Sequence, residues 1–213
     1  MRIKFLASAA IAVLLSACGG SSTPSQQFTT RGLTVPSTRC AINPQSTGVV
    51  EEIDDIDGPR SCGVDNAWRI QSMRGIEFNN TATVNCGMIK PVNDWLENAV
   101  QPAAKDAFGE KVVAVNVAAS YACRARNNRR GAKMSEHGFG NALDISSFTL
   151  ASGRVVSVKS GWNGSRDERS FLRQARADAC NSFHTVLGPG SDSHHSDHLH
   201  MDMQGRTGKR YCR

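Results

Sequence analysis

Two separated segments of the 213-residue chain carry side chains whose types and spacing suit metal-centred hydrolysis. His137 and Asp144 stand seven apart in Ser135-Glu136-His137-Gly138-Phe139-Gly140-Asn141-Ala142-Leu143-Asp144, and His198-Leu199-His200 follows far downstream. His137, Asp144 and His200 together offer two imidazoles and a carboxylate. Three nitrogen and oxygen ligands leave the fourth corner of a zinc tetrahedron open, as catalytic sites do, whereas structural zinc is closed by four protein ligands. Zinc acidifies water to a pKa of about 7 and polarises a carbonyl, so a neighbouring base completes the nucleophile. His198 is the candidate base. A lone His-x-His on a strand is ordinarily a surface pair; both segments together, in this order, are what point to a metal.

Such side chains need elements that aim them. Successive residues of a strand face opposite sides, so His198 and His200 share one face while Leu199 and Met201 take the other. By the same parity Asp144 shares a face with Ser146, and Leu143 and Ile145 turn to the core. Neighbouring strands over residues 142–150 and 198–203 then set imidazole beside carboxylate. Gly138 and Gly140 permit the tight backbone path that returns His137 towards Asp144.

The rest of the chain supplies a scaffold. Val113, Val115, Val117 and Ala119 alternate in a β-branched run that predicts a strand over residues 111–121. A further strand is expected over residues 154–159, after the Ala151-Ser152-Gly153 turn, and a short one over residues 183–187, before Gly188-Pro189-Gly190. Helical spacing over residues 91–108 places Pro91 in a first turn, with Pro102 breaking or restarting the helix. A second helix over residues 167–180 puts Phe171, Leu172, Ala175 and Ala179 on one face. Helices, strands, helix and strands in that order predict an α+β domain with a small antiparallel sheet flanked by helices.

Arg2 and Lys4 followed by an apolar run from Phe5 to Leu15 read as an export signal over residues 1–17. It closes on Leu15-Ser16-Ala17-Cys18, which resembles the bacterial lipobox, so Cys18 is the expected lipidation site. Gly19 after it, with no Asp there, suggests the outer membrane of a Gram-negative envelope. Residues 18–38 are rich in Ser, Thr, Gly, Pro and Gln and read as a tether; residues 39–213 suffice for one domain. Six cysteines remain in that domain: Cys40, Cys62, Cys86, Cys123, Cys180 and Cys212. In an oxidising compartment they should form three disulfides out of 15 possible pairings, Cys180 with Cys212 among them. No C-x-x-C spacing favours a cysteine-ligated zinc instead.

Ser-x-His-x-x-Gly-x-Ala-x-Asp at residues 135–144, followed by His-x-His, resembles the LAS metallopeptidases: lysostaphin-type endopeptidases, D-Ala-D-Ala dipeptidases and penicillin-insensitive murein endopeptidases. The resemblance implies an LAS-type fold in which His137, Asp144 and His200 ligate zinc and His198 acts in catalysis. His195-x-x-His198-x-His200 is similar to the triple-histidine segment of the murein endopeptidases, which brings His195 into the site as well. There it would stabilise an oxyanion or bond to a ligand, unless it merely sits exposed beside His194 and Asp192. The dipeptidases end their site with Glu-x-x-His; this chain has His198-x-His200, which favours the endopeptidase-like branch. From about residue 86 onward, Ser120-Tyr121-Ala122-Cys123-Arg124, Ser135-Glu136-His137, Gly140-Asn141-Ala142-Leu143-Asp144-Ile145 and Thr185-Val186-Leu187-Gly188-Pro189-Gly190 resemble the bacterial extensin-like C-terminal domain family. No Ser-Pro-rich repeat of a plant wall glycoprotein accompanies them.

The formal net charge is +6; without Arg2 and Lys4 it is +4, from 23 basic and 19 acidic residues. Arg124, Arg126, Arg129, Arg130 and Lys133 cluster ahead of the His137 motif. They suit a carboxylate-bearing polymer or an anionic lipid surface, though such a run is by default a solvated loop. Arg124 or Arg126 is the candidate to grip a substrate carboxylate or oxyanion, unless each pairs with Asp202 or Glu97. For an exported chain without interleaved aromatics, nucleic acid is not the expected partner. His184 and His194 read as structural or surface residues, and Ser135 as a group orienting the turn. The expectation is a zinc-dependent peptidoglycan hydrolase on the periplasmic side of the envelope. The alternatives are a non-catalytic peptidoglycan-binding lipoprotein and a metallo-amidase acting on the lactyl-peptide link.

Overall fold

Alternating apolar residues build most of the architecture around one sheet. The computed structural model describes residues 40–204 and 210–213, all within the unit Val35–Arg213. The expected signal 1–17, Cys18 and the tether 18–38 lie outside the described residues. In chain order come strands β1 (Val50–Glu52), β2 (Ile56–Asp57), β3 (Gly63–Val64), β4 (Ala67–Met73) and β5 (Ile76–Asn85). Helix α1 (Cys86–Trp95) then runs through a wider turn at Leu96–Val100 into α2 (Gln101–Phe108). Strands β6 (Val112–Ala119), β7 (Ala142–Leu150) and β8 (Val155–Ser157) follow, with the short helix α3 (Val158–Gly161) and the long helix α4 (Arg166–Ser182). Strands β9 (Thr185–Leu187), β10 (Leu199–Asp202) and β11 (Tyr211–Cys212) complete the order.

The fold is α+β, but the sheet is neither small nor purely antiparallel. Nine strands run in the order β1-β4-β5-β6-β7-β10-β9-β11, with β8 beside β7. Two pairs are parallel, β5 with β6 and β9 with β11. The first is a matter of connection: the chain passes from β5 to β6 through α1 and α2, and a parallel neighbour requires such a crossover.

One face of the sheet packs on the helices. Phe148 of β7 meets Phe171 of α4 edge-on at 5.0 Å between ring centroids and Trp95 of α1 at 6.1 Å. The Trp95 indole N–H donates to the Ala175 carbonyl at 2.9 Å, so its one polar atom is satisfied inside the core. Helix α4 buries the expected stripe of Phe171, Leu172, Ala175 and Ala179 and opens with a Ser165–Glu168 capping box.

Two local expectations fail for identifiable reasons. The first helix starts at Cys86, so Pro91 sits inside it; the apolar stripe already begins at Met88 and Ile89, both fully buried, and their packing outweighs the lost N–H. Pro102 lies at the start of α2 directly after the wide turn, where its missing donor costs least. Strand β8 ends at Ser157, because Ser157 begins a helical turn in place of the last expected strand residues.

Three disulfides form: Cys40–Cys86, Cys62–Cys123 and the expected Cys180–Cys212. They tie the segment before β1 to α1, the β3 region to the segment after β6, and β11 to α4.

Candidate metal centre

Strand register brings the first two site residues together. β10 pairs antiparallel with β7, Leu199 opposite Ile145, His200 opposite Asp144 and Met201 opposite Leu143. The four apolar partners are fully buried on the helix side. Parity therefore turns Asp144, His200 and Asp202 to the other face.

His137 arrives from a one-turn helix, Glu136–Phe139, that follows β6 and precedes β7. Its N–H donates to Ser135 Oγ at 3.4 Å, which gives Ser135 the turn-orienting place expected of it. Gly140 ends the turn in the left-handed region, at φ +60°. A Cβ there would also lie 2.7 Å from Val64 Cγ1 and 2.9 Å from the Asn85 nitrogen. Gly138 serves differently: its φ is not positive, and it makes room for Cys62 Sγ and the Met134 side chain, each 3.1 Å from an added Cβ.

The three candidate ligands converge with lone pairs facing inward. His137 Nδ1 donates to the Ser120 carbonyl at 2.6 Å, because a carbonyl can only accept. That leaves Nε2 as the acceptor, 3.1 Å from Asp144 Oδ2 and 3.3 Å from His200 Nδ1. His200 donates from Nε2 to Asp202 Oδ2 at 3.0 Å and turns Nδ1 to Asp144 Oδ1 at 2.8 Å. The 3.1 and 3.3 Å separations are close to the edge of a tetrahedron with bonds of 2.0–2.2 Å, about 3.3–3.6 Å. Two imidazole lone pairs and a carboxylate, all buried, repel one another unless a cation or protons sit between them. The set fits a divalent ion of the N/O-ligated kind, and His137, Asp144 and His200 could each give it one ligand atom.

Electrostatics show the same demand. Burial opposes charge on His200, yet hydrogen bonds to Asp144 and Asp202 raise its pKa to about 9. Burial likewise opposes the Asp144 charge, but His137 and His200 hold its carboxyl well below the usual range. Without a metal, a proton on His200 takes the cation's place.

Around this centre lies a cleft of about 410 Å³. His198 stands just before β10 and not inside it, but its Nε2 still reaches within 3.7 Å of Asp144 Oδ2. Its Nδ1 donates to Asp197 Oδ1 at 2.9 Å, which leaves the Nε2 lone pair towards the centre. His195 is buried with its ring centroid 5.3 Å from that of His198 and 5.5 Å from that of His200. Its Nδ1 donates to Asp192 Oδ1 at 2.7 Å, and burial pushes the ring below its ordinary pKa despite that carboxylate.

Both arginines line the cleft. Arg124 Nη2 lies 3.8 Å from Asp144 Oδ2 and Arg126 Nη2 3.5 Å from Glu136 Oε1, so neither takes Asp202 or Glu97 as its partner. Asp202 belongs to His200, and Glu97 pairs with Arg74. Exposed His194 also lines the cleft, whereas exposed His184 does not.

Sequence reasoning missed the carboxylates that orient the imidazoles: Asp202 for His200, Asp192 for His195 and Asp197 for His198. The signals were the His200-x-Asp202 parity and the adjacency of Asp197, while Asp192-x-x-His195 became visible only once the segment formed a turn. The Ser120 carbonyl, a backbone atom, left no residue-type signal at all.

Residues 38–213 match the family model described as "Extensin-like protein C-terminus". No curated protein and no solved structure matches the chain.

Proposed function

Since the chain belongs to the extensin-like protein C-terminus family, we propose that it is a zinc-dependent hydrolase of the LAS kind that cleaves a peptide bond in peptidoglycan stem peptides or cross-links. One observation carries the reading: three buried donors, His137 Nε2, His200 Nδ1 and the Asp144 carboxylate, aim their lone pairs at one point in an open cleft. The resemblance of the residue 135–144 and His198-x-His200 segments to LAS metallopeptidases supplies the peptide and the wall. The signal and Cys18 supply the address, a lipid-anchored protein on the periplasmic side of the outer membrane. Among the described residues no helix is long and apolar enough to cross a membrane.

When bound, zinc supplies a Lewis acid that acidifies water and polarises a carbonyl. The chain does the rest. His198 Nε2, kept as an acceptor by Asp197, takes a proton from the attacking water and returns it to the leaving amine. His195 spends its Nδ1–H on Asp192 and has only Nε2 left for the cleft, so it donates to the oxygen on which charge develops only while that nitrogen carries a proton. Arg124, whose nearest carboxylate is the ligand Asp144, is placed for a substrate carboxylate or the same oxyanion; Arg126 is already committed to Glu136.

The test is digestion of purified sacculi by the zinc-loaded protein, with products identified by mass spectrometry. New amino and carboxyl termini at one peptide bond are expected. His200→Ala should lose both zinc and cleavage, while His198→Ala should keep zinc and lose about 10²–10⁴-fold in turnover. Undiminished cleavage by His200→Ala would reject the assignment. Loaded protein that sediments with sacculi yet releases nothing would indicate a binding lipoprotein, and cleavage at the lactyl-peptide link an amidase.

A further inference from the structure

The residues between Arg124 and Ser135 form a hairpin that the chemistry above leaves almost unused. An isolated bridge pairs Ala125 with Met134. Arg126 N–H donates to the Lys133 carbonyl at 2.9 Å and Ser135 N–H to the Arg124 carbonyl at 3.0 Å. Asn127 and Asn128 turn the tip with φ of +54° each, a region asparagine tolerates better than most residues. At the base, the Cys62–Cys123 disulfide fixes the hairpin to the scaffold. It is a held protrusion at the rim of the cleft, with Arg126, Asn127 and Asn128 among the cleft-lining residues.

Its charge is one-sided. The hairpin holds Arg124, Arg126, Arg129, Arg130 and Lys133 and no acidic residue, against a net charge of +6 for the whole chain. Arg124 and Arg126 face Asp144 and Glu136. Arg129, Arg130 and Lys133 are exposed and form no ion pair among the described residues. Three like charges within five residues of a short loop tied at its base repel one another, and a ligand of opposite sign relieves that.

We propose that this hairpin is a docking surface for a carboxylate-bearing polymer that continues outward from the cleft. The proposal rests on reading the cleft as the place where a polymeric substrate is cut. It extends that reading to the stretch beyond the cut bond, whose carboxylates Arg129, Arg130 and Lys133 engage. A membrane surface suits the loop less well. Among the described residues the exposed large apolar ones are Val49, Val113, Phe139, Val155 and Tyr211, none of them on the hairpin, so the hairpin offers no exposed large apolar side chain to a bilayer interface.

The experiment is equilibrium binding of the zinc-loaded protein to poly-L-glutamate and, separately, to phosphatidylglycerol vesicles, over a range of salt. The wild type should bind poly-L-glutamate with an affinity that falls as salt rises. Arg129→Ser/Arg130→Ser/Lys133→Ser should weaken it on the order of tenfold, with zinc content and thermal unfolding unchanged. The charge-keeping Arg129→Lys/Arg130→Lys/Lys133→Arg variant should stay within about twofold if charge and not guanidinium shape is read. Equal binding by the serine variant, or binding of the wild type to vesicles alone, overturns the proposal. Hairpin-dependent binding in a protein that never cuts sacculi would sink the hydrolase reading and leave the hairpin standing. Cleavage with hairpin-independent binding would do the reverse.

Discussion

Asp202 accepts a hydrogen bond from Nε2 of His200 at 3.0 Å, two residues along the same strand face, and thereby decides which nitrogen His200 presents to Asp144 and His137. Asp202 is itself held by the Gln204 N–H at 2.9 Å. The arrangement is a carboxylate behind an imidazole proposed as a metal ligand, and such a carboxylate fixes the tautomer and raises the basicity of the nitrogen that would ligate.

Removing that carboxylate should therefore loosen the metal without touching a ligand. Asp202→Ala is expected to lose about 10–100-fold in zinc affinity, measured by competition with a chromophoric chelator, and Asp202→Asn less, because an amide oxygen can still accept from Nε2. Wild-type affinity in Asp202→Ala would show that the ring is oriented by something else.

Metal affinity should climb with pH. In the metal-free protein His200 keeps a proton up to about pH 9, and an entering cation must displace it. Below that pH each unit of acidification should cost about tenfold in affinity, and above it the dependence should flatten. The stability of the metal-free domain runs the opposite way. The folded pKa of His200 lies above its ordinary 6.5, so its contribution is complete below about 6.5 and is lost as pH rises towards 9. Calorimetry at pH 7 in buffers of different ionisation enthalpy should find about one proton released per zinc bound. A pH-independent affinity between 6.5 and 9 would contradict ligation through Nδ1.

Gly140 and Gly138 look alike in sequence and should behave differently. Gly140→Ala combines a left-handed backbone with approaches of 2.7 Å to Val64 and 2.9 Å to a backbone nitrogen that cannot retreat. A loss of about 2–3 kcal/mol in denaturant unfolding is expected, with weaker zinc binding because the turn carrying His137 shifts. Gly138→Ala meets mainly the flexible Met134 side chain and Cys62 Sγ at 3.1 Å and should cost less than half as much. Equal losses would mean that the turn, and not the two contacts, sets the cost.

How much of this was legible follows from the kind of pattern each part leaves. β7 and β10 are antiparallel strands with apolar residues on one side and polar ones on the other, so parity alone places Asp144 and His200 on one face and Leu143, Ile145, Leu199 and Met201 on the other. The strands before Cys86 are harder to read. In β5 the alternation of Ile76 and Phe78 stops at Asn79-Asn80-Thr81 before resuming at Ala82 and Val84, and β4 slips register between Ile70 and Ser72. With those strands unread, the sheet was expected to be small and its parallel β5–β6 pair was invisible. His198 and His195 could be listed as candidates from their residue type, but the side chains orienting them come from neighbours in loops, where no period constrains direction.

The disulfides allow a test that separates position from chain entropy. Cys62–Cys123 closes a separation of 61 residues and Cys180–Cys212 one of 32. Loop-closure entropy distinguishes them by only about 0.6 kcal/mol, so Cys62→Ser/Cys123→Ser and Cys180→Ser/Cys212→Ser should each lose about 2–4 kcal/mol of stability. Their effects on the centre should diverge. Cys123 lies three residues after Ser120, whose carbonyl fixes the His137 tautomer, and next to Arg124, while Cys62 packs against the His137 turn at Gly138. Cys180–Cys212 instead joins α4 to the outermost strand, β11. Zinc affinity measured well below each variant's unfolding temperature should drop several-fold in the first pair and hold in the second. If both variants bind zinc as the wild type does, the Ser120 carbonyl is held by the β6 backbone alone.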